Sequence, residues 1–253
     1  PSYKAPNSFT REVLVSFFEN DNAKIFYERE GEGPPVFLLA PGGMRSANGL
    51  WSNMPWNPRE SLIEEFELIG MDQRNAGQSE APITSEDNWQ TYIHDQIALL
   101  DHLQINKCHL LGMCIGGPFI AGLLKAAPER FLSAVILQPV GIEDNRQALY
   151  DMFDNWAEDL KNANKNVEIE AIAQFRENMW SGDFLLTTSK DDVAQFQTPI
   201  LLFMGDDLYH PQGISREIAH LAPNVTFIEE WKNSENLDRT NETIHSFLAE
   251  HSH

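Results

Sequence analysis

The sequence predicts an α/β protein built on a mostly parallel, doubly wound sheet. Short apolar runs alternate along the chain with segments whose apolar residues recur at helical spacing. Several of these runs end directly in glycine-rich or acidic loops, as buried parallel strands do where they enter a functional edge. The chain has 253 residues, of which 42% are hydrophobic, so a single large domain with a substantial core is expected.

The predicted strands and helices follow from this alternation. Two amino-terminal segments at about residues 11–20 and 24–29 predict a strand pair. The later strands are predicted at Pro34–Gly43, Phe66–Arg74, Cys108–Cys114, Ser133–Gly141, Pro199–Gly205 and Val225–Trp231. The helices between and after them are predicted at Trp89–Leu103, Ile115–Ala127, Gly213–Leu221 and Asp238–Glu250.

One long segment, from Asp144 to about Lys190, breaks the alternation. It is acidic, rich in aromatic residues and helical in pattern. We therefore expect one domain of residues 1–253, with a core of residues 1–141 and 191–253 and a helical cap inserted at about residues 142–190. Bulky side chains such as Trp156 and Trp180 predict that this cap roofs an apolar pocket.

The charge balance is strongly acidic. Asp and Glu total 38 against 18 Lys and Arg, which gives a formal net charge of −20. Such a surface repels phosphate backbones and anionic lipids, so neither nucleic acid nor a membrane is expected as a partner. No run of about 18 apolar residues predicts a membrane-spanning helix, and residues 1–10 lack the pattern of a signal peptide.

The two cysteines, Cys108 and Cys114, lie on one predicted strand. At the rise of a strand they stand about 20 Å apart, too far for a disulfide. Two unpaired thiols favour a reducing, cytoplasmic location. The sequence has no His and Cys pattern with zinc-ligand spacing, and we expect neither a metal nor a cofactor.

The most informative motif surrounds Cys114, between a predicted strand and a predicted helix. It places a nucleophilic side chain between small residues, in the string Gly112-Met113-Cys114-Ile115-Gly116-Gly117. On a tight strand-to-helix turn, or nucleophile elbow, such a side chain projects above the sheet, and glycines two positions away let the backbone pass closely. The amino end of the following helix favours a thiolate and a developing oxyanion.

These motifs resemble the α/β-hydrolase superfamily over the whole chain except the cap. The string "GMCIGG" is similar to the elbow of dienelactone hydrolases and polyhydroxyalkanoate synthases, both of which have a cysteine nucleophile. The rest looks more like small esterases and haloperoxidase-like or aminopeptidase-like enzymes. Their D-x-R-x-x-G-x-S loop is matched by Asp72, Arg74, Gly77 and Ser79.

The resemblance implies an oxyanion hole and an acid. Carried over, the oxyanion donors are the backbone N–H groups of Gly43 and Ile115. Where the family often has His-Gly, this chain has Pro-Gly, which leaves backbone donation intact. The acid expected four residues before a proline is Asp207. Its neighbour Asp206 is an alternative, and so is the position occupied by Glu143 and Asp144 after the preceding strand.

The catalytic histidine is the departure from the family pattern. No histidine follows the last predicted strand, where the family places it. His210, three residues after Asp207, is the one histidine beside a motif and is the candidate base. Solvated, capping, tail or core roles are expected for the others, His94, His102, His109, His220, His245, His251 and His253.

Two functions follow from these residues. The first is a hydrolase or acyltransferase in which Cys114 attacks an ester, thioester or lactone of a hydrophobic small molecule, with His210 and Asp207 as base and acid. The second is a non-catalytic or degenerate member of the same fold that binds such a ligand without turnover. The absent late histidine is what keeps the second function open.

Overall fold

The computed structural model describes residues 13–162 and 169–252. The predicted fold class is confirmed in this part of the chain, where eight strands form one sheet with helices on both faces. The strands are β1 (Leu14–Asn20), β2 (Ala23–Glu30), β3 (Pro35–Leu39), β4 (Glu67–Met71), β5 (Cys108–Cys114), β6 (Phe131–Pro139), β7 (Ile200–Phe203) and β8 (Val225–Ile228).

The order of strands across the sheet is β1-β2-β4-β3-β5-β6-β7-β8. The first two pairings, β1 with β2 and β2 with β4, are antiparallel. All later pairings are parallel. The carboxyl ends of β3, β5, β6, β7 and β8 therefore meet at one edge of the sheet, where loops from distant parts of the sequence can build a common site.

The main helices lie where the hydrophobic spacing predicts them. They are α1 (Pro58–Ser61), α2 (Trp89–His102), α3 (Gly116–Ala126), α4 (Arg146–Asn162), α5 (Ile169–Trp180), α6 (Lys190–Val193), α7 (Gln212–Leu221) and α8 (Leu237–Glu250). The one-turn helices α1 and α6 are additions to the prediction. Residues 11 and 12 of the first predicted strand and residues 163–168 of the predicted cap lie outside the described residues.

The last strand is shorter than its apolar pattern predicts. It ends at Ile228, whereas the prediction continued to Trp231. The Trp231 indole N–H donates to the carbonyl of Met204 at 2.9 Å, and the ring packs on Phe203 with the ring centroids 5.5 Å apart. This aromatic residue is buried through tertiary packing in the loop, so its hydrophobicity does not indicate strand.

The core has one layer on each face of the sheet, as expected for a doubly wound fold. In β3, Phe37 and Leu39 belong to the layer beneath α2, α3 and α7, whereas Val36 and Leu38 belong to the layer beneath α8. Because both faces of the strand are covered, its sequence reads as a continuous apolar run.

Helices α4 and α5 stand between β6 and β7 in the sequence and cover the carboxyl edge of the sheet. Side chains tie this pair of helices to the core. The Trp156 indole N–H donates to the Asn75 carbonyl at 3.3 Å, and the Asn178 amide donates to the carbonyls of Ser85 and Asp87, both at 2.9 Å. In the described part of the chain, no helix combines the length and apolar character needed to cross a membrane.

The close contact of α3 with β3 predicts a strong effect of one added methyl group. A Cβ on Gly116 would stand 2.5 Å from the Leu39 carbonyl oxygen. We expect Gly116→Ala to lower the free energy of unfolding by about 1–3 kcal/mol, measured by urea denaturation. The matched control is Gly49→Ala, because a Cβ there meets nothing within 4 Å. Equal losses in both variants would contradict the packing argument.

Candidate active site

Cys114 stands at the turn between β5 and α3. Its φ of 61° lies in the left-handed region, which side chains other than glycine rarely adopt. The turn is held on one side by the Val140 backbone N–H, which donates to the Cys114 carbonyl at 3.1 Å. A strained residue of this kind, fixed by its surroundings above the carboxyl edge of a parallel sheet, has the geometry of a nucleophile elbow.

The glycines beside this turn are needed for close backbone approach. A Cβ on Gly112 would lie 2.9 Å from the Gly116 carbonyl oxygen, and one on Gly117 would lie 2.5 Å from Cβ of Pro139. The strand, the turn and the first residues of α3 are therefore packed too tightly for larger side chains. Cys114 itself is half-buried at this turn.

The loop between β7 and α7 brings His210 and Asp207 together. The imidazole Nδ1 of His210 lies 2.8 Å from both carboxylate oxygens of Asp207. The backbone N–H groups of Tyr209 and His210 also donate to Asp207 Oδ1, at 2.9 and 3.1 Å. Because the carboxylate accepts from Nδ1, the other ring nitrogen, Nε2, is left free to exchange a proton.

The other ring nitrogen of His210, Nε2, is buried without a hydrogen-bond partner in the described part of the chain. Burial of the imidazole by itself lowers its pKa, but the interaction with Cys114, followed by that with Asp207, raises the His210 pKa to about 9. His210 is therefore coupled electrostatically to Cys114 and is held through Nδ1 by Asp207.

The pKa values of the Cys114 thiol and the Asp207 carboxyl shift in the opposite direction to that of His210. Burial raises the pKa of the Cys114 thiol, but the His210 hydrogen bond and charge, with two backbone N–H groups, bring it below its ordinary value. Burial also acts to raise the pKa of Asp207, and the hydrogen bond and charge of His210 outweigh it, so that this pKa is lowered. These shifts favour the thiolate form of Cys114, the protonated form of His210 and the carboxylate form of Asp207.

The two backbone N–H groups that interact with the Cys114 sulfur belong to Gly42 and Ile115. Ile115 is one of the two predicted oxyanion donors. On the loop after β3, the donor to the sulfur is Gly42, one residue before the predicted Gly43. Gly43 has a φ of 58° and lies beneath the cap, with the Met152 sulfur 2.7 Å from the position of a Cβ. Its role as a donor to substrate stays a prediction.

A family profile described as "alpha/beta hydrolase fold" matches residues 35–222, which include β3, the elbow and the loop that carries Asp207 and His210. The chain belongs to the α/β hydrolase fold family. Curated relatives include a 2-hydroxy-6-oxo-6-phenylhexa-2,4-dienoate hydrolase of Comamonas testosteroni, 27% identical over 47% of this chain and 41% of that protein. Another is a dihydrolipoyllysine-residue acetyltransferase component of Pseudomonas putida, 29% identical over 46% of this chain and 30% of that protein.

Solved structures of this fold superpose over nearly the whole chain. The enol-lactonase of Burkholderia xenovorans has a TM-score of 0.69 at 18% identity, covering 92% of this chain and 100% of that one. A 2-hydroxy-6-oxo-6-phenylhexa-2,4-dienoate hydrolase of a Rhodococcus strain has a TM-score of 0.67 at 22% identity, covering 96% and 99%. The chain spans less than half the length of the first curated relatives it matches.

The three alternative acids, Asp206, Glu143 and Asp144, have other neighbours or are exposed. The Asp206 carboxylate accepts from Lys232, in the loop after β8. The Glu143 carboxylate lies against Gly213 at the start of α7, and Asp144 is an exposed residue with a φ of 54°. Asp207 is the carboxylate that the structure places on His210.

The D-x-R-x-x-G-x-S loop, residues 72–79, has a structural role. The Asp72 carboxylate accepts from the backbone N–H groups of Asn48 and Gln78, both at 2.8 Å. Arg74 donates two hydrogen bonds to the buried carboxylate of Asp95, at 2.7 and 3.0 Å. These contacts hold the loop after β4 in place and do not involve Cys114.

The other histidines have structural partners or exposed positions. His109 lies inside β5 between the hydroxyls of Ser133 and Ser252, and burial lowers its pKa to about 4. His245 contacts the Ser61 carbonyl at 2.7 Å. The described loop after β8, residues 229–236, contains no histidine. Elsewhere, His94 and His220 are exposed, His102 and His251 pack against phenylalanines with tilted rings, and His253 lies outside the described residues.

Sequence reasoning missed three residues that shape this site. The donor role on the loop after β3 was assigned to Gly43 and not to the adjacent Gly42. Met152 was not distinguished from the many other apolar residues of the predicted cap. Asn145 is buried between β6 and α4 and donates to the Leu208 carbonyl on the loop of His210. Nothing in the sequence distinguishes it from a solvated loop asparagine. Within the described residues, no cluster of His, Cys, Asp or Glu is arranged to hold a metal ion.

The charge coupling of Cys114 and His210 predicts a titration. Below a pH of about 9 the His210 ring is protonated, and it loses this proton as the pH rises through that value. In Cys114→Ser the thiolate charge is absent, so the His210 pKa should fall by at least about one unit, toward the ordinary value for histidine. NMR titration of the imidazole resonances measures both values. An unchanged His210 pKa would contradict the coupling.

Proposed function

We propose that this chain is a hydrolase or acyltransferase that uses Cys114 as a nucleophile on an ester, thioester or lactone of a small hydrophobic molecule. The proposal is supported by the strained elbow at Cys114 and by the hydrogen-bonded pair of His210 and Asp207, which lowers the pKa of the Cys114 thiol. This is the arrangement that covalent acyl-transfer catalysis requires: a nucleophile, a base in contact with it, and a group that orients the base.

In the first step the Cys114 thiolate attacks the carbonyl carbon of the substrate. A C–S bond forms, and the electron pair of the carbonyl double bond moves to oxygen. The Ile115 N–H and an N–H of the Gly42–Gly43 turn then hold this oxyanion. Donors fixed in advance by the backbone stabilise the developing charge by about 3–4 kcal/mol each, because they need no reorganisation.

In the second step the tetrahedral intermediate collapses. The C=O bond re-forms, the bond to the leaving group breaks, and His210 gives its proton to the departing oxygen or sulfur. The product is an acyl-cysteine with a neutral imidazole beside it. Asp207 keeps Nδ1 protonated throughout, so Nε2 remains the nitrogen that exchanges protons.

Deacylation reverses the proton flow. Neutral His210 takes a proton from water as the water oxygen attacks the acyl carbon, and the C–S bond breaks to restore thiolate and imidazolium. A different nucleophile in place of water would make the same intermediate an acyl donor. A thiolate is a good leaving group, so either acceptor completes the cycle.

The apolar residues of the cap are evidence for a hydrophobic substrate. In this proposal helices α4 and α5 roof the site, and Met152 lies over the Gly43 turn with an apolar side chain. Structural relatives include an enol-lactonase and an enzyme described as degrading N-acyl homoserine lactones, and a curated relative is a phenylhexadienoate hydrolase. The free thiols of Cys108 and Cys114 fit a reducing, cytoplasmic setting.

The proposal predicts a transient acyl-enzyme. Brief incubation with p-nitrophenyl esters and acyl thioesters should add one acyl group to the wild-type chain by intact-mass spectrometry, and the adduct should then decay. Cys114→Ala should show neither adduct nor turnover. The matched control is Cys108→Ala, because Cys108 is buried and burial raises its pKa to about 12, so this variant should acylate like wild type.

A second pair of variants compares the proposed acid, Asp207, with its neighbour Asp206. Asp207→Asn removes the carboxylate that orients His210 and should slow acylation by about 100-fold or more. Asp206→Asn, one residue away, removes only the contact with Lys232 and should change the rate by less than about threefold. Turnover retained by Cys114→Ala would contradict the proposal. Tight saturable binding with no acylation of any substrate would favour the non-catalytic function.

A further inference from the structure

Asn145 stands at the junction between the sheet and the cap. It lies between β6 and α4, which begins at the next residue, and only 3% of its surface is exposed. Its side-chain amide donates to the Gly141 carbonyl at 3.0 Å and to the Leu208 carbonyl at 2.9 Å. Its side-chain oxygen accepts from the Glu143 backbone N–H at 3.0 Å. All polar atoms of this buried amide are therefore engaged, and one bond reaches the loop of His210.

The tip of that loop is exposed, whereas His210 is buried. Leu208 and Tyr209 are 60% and 40% exposed, although both are large and apolar. Within the loop, Asp207 and His210 exchange backbone hydrogen bonds of 3.1 and 3.3 Å, which fix its internal shape. Its ties to the rest of the fold include the Asn145 bond to Leu208, the bond from the Gly205 N–H to the Ser215 hydroxyl at 3.1 Å, and the ion pair of Asp206 with Lys232.

The same segment of chain reaches the other side of the site. Helix α4 starts immediately after Asn145, and Met152 on this helix lies over Gly43. Further along α4, Asp159 forms an ion pair with Arg45, beyond the oxyanion turn. One helix therefore covers the predicted oxyanion turn, while the residue at its root holds the loop that bears the base.

We propose that Asn145 is a positioning residue that holds the Asp207–His210 loop over Cys114 and thereby links the seating of the cap to the geometry of the base. The inference concerns the pairing of His210 with the thiol and rests on the proposed function only for its consequence in turnover. Displacing a catalytic group by about 1 Å is enough to lower its contribution by as much as 100-fold.

The test measures thiol reactivity, which needs no substrate. The groups that set the ionisation of Cys114 are the His210 side chain and the N–H groups of Gly42 and Ile115, and His210 in turn contacts Asp207. In Asn145→Leu, loss of the His210 contact should raise the midpoint of the pH profile for Cys114 alkylation by iodoacetamide by about one pH unit. At a pH below both midpoints, alkylation should then slow by about tenfold.

Asn178→Leu is the matched control. Its amide also donates to two backbone carbonyls, those of Ser85 and Asp87, and it also ties the cap helices to the core, but it does not contact the His210 loop. We expect both variants to lower the melting temperature and Asn145→Leu alone to shift the alkylation profile. Asn145→Ser, a milder change, provides the same comparison if the leucine variant does not fold.

An alkylation profile of the Asn145 variants equal to that of wild type would overturn the inference, and so would equal shifts in the Asn145 and Asn178 variants. The proposed function fails separately. If the wild type acylates with none of the esters and thioesters while the Asn145 shift is observed, the positioning role stands and the acyl-transfer function falls. If the wild type turns over an ester and the Asn145 profile is unshifted, only the positioning role falls.

Discussion

The site depends on one electrostatic interaction, between the Cys114 thiol and the His210 imidazole. A buried thiol alone has a raised pKa, as Cys108 shows six residues earlier on the same strand. In Cys114 the imidazolium and two backbone N–H groups outweigh that burial, and the thiol pKa falls instead. The elbow at β5 and the loop after β7 matter because together they bring these two groups close enough for each to shift the pKa of the other.

In the proposed site the base and its orienting acid lie three residues apart on one loop. The Asp207–His210 pair is therefore a local unit, whose internal geometry comes from hydrogen bonds between neighbouring residues. The loop after β8 has a structural role, because Trp231 packs in the core beside Phe203. The tip of the loop with His210 is exposed, and we propose that Asn145, directly before α4, anchors this loop through Leu208.

The fold was predictable from the sequence because its strands and its tight turns are both determined by local patterns of residues. Apolar runs such as β5 and small residues such as Gly116 mark strands and tight turns without knowledge of what packs on them. The site was only partly predictable. His210 became a candidate because it is close in sequence to Asp207, whereas its contact with Cys114 depends on how β5 and β7 sit in the sheet. Asn145 acts entirely through tertiary hydrogen bonds, which leave no pattern in the sequence.

The most direct measurement is the ultraviolet absorbance of the thiolate across a pH titration, recorded as the difference between wild type and Cys114→Ser. We expect the Cys114 thiol to titrate with a midpoint below the value of about 8.5 for a free cysteine. We also expect His210→Gln to move this midpoint upward, because the imidazolium that stabilises the thiolate is lost. A midpoint at or above that of free cysteine in the wild type, or one unchanged by His210→Gln, would contradict the account.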